Sequence, residues 1–223
     1  MVIRIKSCID GAKQAEGVTV IIDVFRASNT IIACLGQGAE YVIPVGQLEK
    51  AYHLKQMYPD HLLAGERNSL PPKGFDFGNT PAYASSIDLK GKQIIFTTSA
   101  GTQGIVNALN ASEILIGSFA NAHALVQYIL KTSPPIVTLA AMGFESSEKA
   151  EEDEQCAAYL KNRLKGVEPN FNPIREKIMQ SKGAERLIHI GRSDDLAFSL
   201  KTNLYPLVPI YDKGSGKISA VGV

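Results

Sequence analysis

Val18-Thr19-Val20-Ile21-Ile22, followed by Asp23-Val24-Phe25-Arg26-Ala27-Ser28, decides the fold class. Five consecutive β-branched residues suit a strand buried inside a sheet. Residues 27–36 then read as a helix, with Gly36 or Gly38 available to end it. A buried strand running straight into a helix is the unit of α/β folds.

The same alternation continues in both directions. Residues 2–7 alternate apolar and polar, as an edge strand does. Downstream, strands are expected at 41–45, 61–64, 94–98, 114–116 and 136–140, with helices at 47–58, 102–110, 121–131 and 149–165. Pro44 predicts an edge or an end for its strand. Further helices open near Asn172-Pro173 and at Ser193-Asp194-Asp195, and strands near 205–211 and 216–222 close the chain. The expectation is α/β, a mostly parallel sheet with flanking helices. Residues 1–223 read as one compact α/β unit, with 166–172 the weak candidate for a boundary between two lobes.

Composition narrows the function. Hydrophobic residues make up 45% and charged residues 20%, which excludes a disordered chain. The formal charge is +1 and no basic stripe appears, so nucleic acid is not an expected partner. No apolar run approaches the ~18 residues that span a bilayer. Three cysteines, Cys8, Cys34 and Cys156, match no metal spacing and no disulfide framework; a reducing cytoplasm is the expected location. Dimers being common among enzymes of this size, a homodimer is the base-rate assembly.

Ligands of parallel sheets gather at the carboxyl ends of the strands. There the sequence places Asp23 and Arg26, then Gly65-Glu66-Arg67, then Ser99-Ala100-Gly101-Thr102, then Gly117-Ser118 with Asn121, then Met142-Gly143 with Glu145. Carboxylates, guanidiniums, hydroxyls and glycines together suit a phosphorylated anion with a hard cation. The turn Thr97–Thr102 is an anion-cradle candidate, its N–H groups opening a helix. Each piece also has a plain reading. Asp23 can simply cap its helix, Arg26 and Arg67 can be ordinary ion pairs, and Glu151–Glu154 can complement a helix dipole. The four histidines fall in no motif, and no Gly-x-x-x-x-Gly-Lys-Ser/Thr occurs. Aspartyl-nucleophile phosphatases of the haloacid dehalogenase type need an Asp where Phe25 stands.

Longer motifs add a resemblance. Asp23-Val24-Phe25-Arg26-Ala27-Ser28, Gly65-Glu66-Arg67, Gly74-Phe75-Asp76-Phe77-Gly78-Asn79-Thr80-Pro81, Thr97-Thr98-Ser99-Ala100-Gly101-Thr102, Gly117-Ser118-Phe119-Ala120-Asn121-Ala122 and Glu152-Asp153-Glu154-Gln155-Cys156-Ala157-Ala158 occur in that order. The chain so resembles the Mg²⁺-dependent 2-phosphosulfolactate phosphatases of coenzyme M biosynthesis. Ala100 stands where that pattern has Asn, and Ala158 where it has Gly. Met142-Gly143-Phe144-Glu145 departs from the small-residue turn usual there.

The resemblance implies a layered α/β sandwich of that family's own type and hydrolysis of a small phosphorylated acid. It implies Mg²⁺ held by some of Asp23, Glu66, Asp76, Glu152 and Asp153. Arg26 and Arg67 would grip acid groups, and Asp23, Arg26, Glu66, Arg67, Asp76 and Asp153 would carry the chemistry. Ser28, Asn79, Thr98, Ser99, Gly101, Thr102, Ser118, Asn121 and Cys156 would contact substrate. Phosphatases of another small hydroxy-acid phosphate, and a non-catalytic binder of phosphorylated metabolites, remain open alternatives.

Overall fold

A computed structural model describes residues 1–222. Its strands are β1 Val2–Ser7, β2 Gly17–Ile22, β3 Tyr41–Pro44, β4 Leu62–Gly65, β5 Phe77–Gly78, β6 Gln93–Thr97, β7 Ala111–Gly117, β8 Ile136–Ala141, β9 Leu207–Asp212 and β10 Lys217–Gly222. Its helices are α1 Cys8–Lys13, α2 Ala27–Gly36, α3 Leu48–Met57, α4 Pro81–Ala84, α5 Gly101–Asn107, α6 Ala122–Thr132, α7 Glu151–Leu164, α8 Phe171–Met179, α9 Lys182–His189 and α10 Ser193–Ser199.

The ten strands form one sheet in the order β1-β8-β2-β7-β9-β10-β3-β6-β4-β5. Two parallel blocks make it up. β1, β8, β2 and β7 pair in parallel, as do β3, β6, β4 and β5. The hairpin β9–β10 joins the blocks by antiparallel pairing to β7 on one side and to β3 on the other. At β3 the contact is a single register pair, Ile218 with Val42. Pro44 ends β3 rather than marking a sheet edge, so its missing N–H breaks no interior ladder.

Period-two alternation sorts the strands' side chains into separate cores. Ile21 of β2, Ile114 and Ile116 of β7, and Ile94 and Phe96 of β6 share one core with Ala27 and Ile31 of α2 and Ile105 of α5. The alternate residues of β2 and β8, Val18, Val20, Ile22, Val137 and Leu139, pack instead with Leu125 of α6 and Leu160 of α7. Ile95 of β6 and Leu63 of β4 face a third core with Ala51 of α3. Helices therefore lie between the blocks and outside each of them, a layered arrangement. Each buried Ile or Leu contributes about 1.5–3 kcal/mol.

Two helices were not legible from local pattern. In α1 Gly11 is a poor helix former, costing roughly 1 kcal/mol; burial of Gly11 and Ala12 overrides it. In α9 the buried set is only Gly183, Ala184 and Leu187, too short a stripe to read from sequence.

The blocks run in opposite senses where the hairpin joins them. Their carboxyl ends nevertheless meet. A Cβ added to Gly101, after β6, would lie 2.6 Å from the Ala27 Cβ and 2.9 Å from the Asp23 Oδ2, after β2. Residues of α2 and α5 share one core with strands of both blocks, so the sheet folds round these helices and brings the two ends together. The site is thus where two blocks meet, not the edge of one parallel sheet.

Candidate active site

The turn after β2 is closed by its own side chains. Asp23 N–H donates to Ser28 Oγ at 2.9 Å, and Ser28 Oγ donates to the Ile21 carbonyl at 3.2 Å. Ala27 N–H donates to Asp23 Oδ1 at 3.1 Å. Asp23 is thereby both a helix cap and a site carboxylate: it lines a small cavity with Glu66, Asn79, Ser99 and Ala100. Burial pushes its carboxyl up to about 6; the Glu66 charge adds to this, while the Ala27 and Gly101 backbone and Arg26 work against it.

Asp153 does not line that cavity. Its Oδ1 accepts from Val24 N–H at 2.7 Å and its Oδ2 from Gly143 N–H at 2.8 Å. It therefore clamps the turn after β2 to the turn after β8. Burial, then the charges of Asp23 and Glu152, push its carboxyl well above the usual range. Glu152 is buried against α9, where the Gly183 backbone comes so close that an added Cβ would lie 2.6 Å from Glu152 Oε1. Glu152 Oε2 has no hydrogen-bond partner among the described residues.

The second block supplies Glu66. A φ of 134° at Gly65 turns the chain here, and a Cβ would collide with the Thr97 carbonyl. Glu66 Oε1 accepts from Ser99 N–H at 2.7 Å, and Oε2 accepts from Ser69 N–H at 3.0 Å and from Ser99 Oγ at 3.3 Å. The expected anion cradle is thus turned toward protein carboxylates. Ser99 N–H serves Glu66, Gly101 backs Asp23, and Thr102 N–H donates to Thr98 Oγ1 at 3.1 Å, with Thr98 N–H returning to Thr102 Oγ1 at 2.9 Å.

The predicted arginines separate. Arg26 lines the cavity but is buried against Asp195, with Nη1 to Oδ2 at 3.2 Å. Its Nη2 donates to the Ser69 carbonyl at 3.3 Å. Asp195 also accepts from Ala82 N–H at 3.1 Å. Arg67 turns away, donating to the Glu66 and Gly46 carbonyls and to Thr97 Oγ1.

Other predicted residues are placed elsewhere. Asp76 is exposed, accepts from Leu63 N–H at 2.7 Å, and lies 3.9 Å from Lys55 Nζ; it extends the ladder of β4 and does not reach the cavity. Ser118 and Asn121 tie β7 to β9: Asn121 accepts from Ser118 N–H and donates to the carbonyls of Ile116 and Leu207. Cys156 is fully buried in the core under α7, its thiol raised well above the ordinary value by burial. Asn79 does reach the cavity, and Thr30 Oγ1 donates to its carbonyl oxygen at 2.8 Å, leaving the amide NH₂ as the donor for a ligand.

Sequence reading missed several lining residues. Asn68, Ser69, Phe144 and Arg186 join the wall with Glu145. Asn68, Ser69, Glu145 and Ser146 all have positive φ, a strained backbone that local pattern does not announce. Arg186 sits in the unforeseen helix α9. Ala100 also lines the cavity, so the Asn of the family pattern would project into it.

The donor set suits a hard cation. Asp23 and Glu66 both line the small cavity, and burial there opposes the Asp23 charge more than its donors offset. Among the described residues no three His, Cys, Asp or Glu side chains group as a complete ligand set. Two carboxylates, with water and substrate phosphate, match the habit of Mg²⁺. Among the described residues no helix is long and apolar enough to cross a membrane.

Comparison with known proteins places the chain in a family. The profile of the family described as 2-phosphosulpholactate phosphatase matches residues 4–214. A protein of Carboxydothermus hydrogenoformans named probable 2-phosphosulfolactate phosphatase is 34% identical over 212 residues, covering 88% of this chain and 87% of its own. Its namesake from Thermotoga petrophila is 36% identical over 208 residues, with 87% and 89% covered, and that of Clostridium tetani 31% over 210 residues, with 87% and 89% covered. The match runs through both strand blocks and the joining hairpin's first strand, so that the cavity lined by Asp23, Glu66 and Asn79 lies within it; the chain belongs to the 2-phosphosulfolactate phosphatase family.

Proposed function

We propose that this protein is a Mg²⁺-dependent phosphoric monoester hydrolase that converts 2-phosphosulfolactate to sulfolactate and phosphate. The observation that carries the reading is the pair Asp23 and Glu66 lining one cavity, brought there from different strand blocks. Membership of the family supports the substrate.

Asp23 and Glu66 would hold the cation. Mg²⁺ there supplies neutralisation of the phosphoryl charge and polarisation of its oxygens. Asp23 would hold it as the carboxylate, the form that prevails above about pH 6. Asn79 donates from its amide NH₂ to a phosphoryl oxygen. Arg26 adds positive charge from the wall, already anchored by Asp195, so little ordering is needed on binding. Asp153 acts through position: its grip on Val24 and Gly143 fixes the turn that carries Asp23.

The test is phosphate release from 2-phosphosulfolactate with Mg²⁺ and with a chelator, beside a panel of small phosphomonoesters. Mg²⁺-dependent release, fastest on 2-phosphosulfolactate, is the expected result. A faster phosphorylated hydroxy acid would replace the substrate and keep the reaction. No release from any ester would overturn the phosphatase reading.

A further inference from the structure

The cavity bounded by Asp23 and Glu66 has a volume of about 50 Å³. A water molecule occupies roughly 30 Å³ of the liquid, and ligand pockets run to roughly 300–1,000 Å³. The inner cavity thus has room for a phosphoryl group or its solvent, not for a whole ester. Beside it lies an outer cleft of about 700 Å³ between the starts of α7 and α9 and the end of α8. Phe144 and Arg186 line both spaces.

Two guanidiniums reach the inner cavity, and they differ in commitment. Arg26 is paired with Asp195. Arg186 is half-buried, with its guanidinium carbon 4.0 Å from the centre of the Phe144 ring, and no carboxylate lies within ion-pair distance of it among the described residues. The acid that faces it is Glu152, buried and with one oxygen unpartnered. Beyond, the outer cleft is lined by Lys149, Lys177 and Lys182; Lys177 is held by Glu151 at 2.6 Å and Lys149 lies 3.8 Å from Glu154. A stacked guanidinium has a fixed plane and an open fork for a planar or tetrahedral acid group.

Resting on the phosphatase reading above, we infer that Arg186 is a specificity-determining residue: it takes the second acid group of the substrate, which extends past Phe144 toward the outer cleft. The preferred substrate class is therefore a phosphomonoester carrying at least one further carboxylate or sulfonate. Arg67, which the sequence offers for this role, is spent on backbone carbonyls.

The experiment compares wild type, Arg186→Lys and Arg186→Met on 2-phosphosulfolactate and on methyl phosphate, which has no second acid. Loss of a charge-assisted pair lowers the ratio of kcat/KM between the two esters about 30-fold in Arg186→Met, through KM. Arg186→Lys keeps charge opposite Glu152 but loses the fork, and the ratio falls by a smaller factor; it carries the test if the Met variant does not fold. An unchanged ratio in a folded variant overturns the inference. If wild type hydrolyses neither ester, the phosphatase reading fails separately, and calorimetry with sulfolactate then decides: weaker binding by Arg186→Lys supports the role, equal binding overturns it.

Discussion

Glu66, after β4, accepts from two backbone N–H groups and a hydroxyl. Asp23, after β2, has a 3.1 Å bond from Ala27 N–H and some help from the Gly101 backbone. Both are buried and both line one cavity. The first block of strands thus delivers a carboxylate that burial disfavours, while the second delivers one that organises its loop. Burial by itself is not the lesson; the supply of donors is. Glu66 orders its loop while still lining the cavity, and Asp23, with fewer donors, is the one whose charge burial opposes most.

Replacing Asp23 is the strongest way to break this contrast. Asp23→Asn keeps an acceptor for Ala27 N–H and loses the charge, so kcat/KM falls roughly 10³-fold. Stability moves the other way. The folded chain holds Asp23 at about 6, above its ordinary 3.8, so it retains a proton that the unfolded chain has released. The stability so gained is full below the unfolded value and lost as pH rises through about 6. Without metal, the Asn variant should exceed the parent at pH 8 by on the order of 2–3 kcal/mol and match it below pH 4. Thermal melts at both pH values, without added metal, check the sign; a variant less stable at pH 8 would contradict it.

Next in size is the anchor between the blocks. Asp195→Ala leaves Arg26 buried and unpaired and strips the Ala82 N–H of its acceptor, costing about 3–5 kcal/mol in urea unfolding. Adding Arg26→Met should restore much of that stability, though not activity. A cost under 1 kcal/mol for Asp195→Ala would mean that the pair is incidental.

Acid pH should act on the site through Asp23. As Asp23 must shed its proton to hold Mg²⁺, affinity for the ion should fall about tenfold per pH unit below about 6 and level off above it. Titration of Mg²⁺ at pH 5, 6 and 8 measures this; a flat profile would remove Asp23 from the ion's ligands.

The smallest effect is expected at Asp76. Asp76→Asn keeps an oxygen for Leu63 N–H and loses only a 3.9 Å approach to an exposed lysine, so kcat/KM should stay within about twofold. A hundredfold loss would place Asp76 in the machinery, as the sequence motif suggests, and require the loop 66–76 to move.

Much of the fold was legible because its signals are local. The β-branched run at 18–22 and the apolar strands expected at 94–98 and 136–140 and found at Gln93–Thr97 and Ile136–Ala141 each carry their own pattern. Of the site, Asp23, Glu66, Asn79 and Ser99 follow from their place after strands or within long motifs. Asn68 and Ser69 escaped notice because a positive φ leaves no mark in a polar loop, and Arg186 because α9 has so short an apolar stripe.

The sequence by itself determined the alternation of strands and helices, the two faces of each strand and the stock of carboxylates and guanidiniums near strand ends. Those depend on side-chain size, branching and charge along a few neighbouring residues. Only the tertiary structure decided that two parallel blocks meet through the β9–β10 hairpin, that Arg26 answers to Asp195, that Arg67 and Asp76 face away, and that Arg186 stands at the cavity. Such choices rest on how the two blocks pack on shared helices and on which buried donor finds which acceptor, and both join residues far apart in the chain.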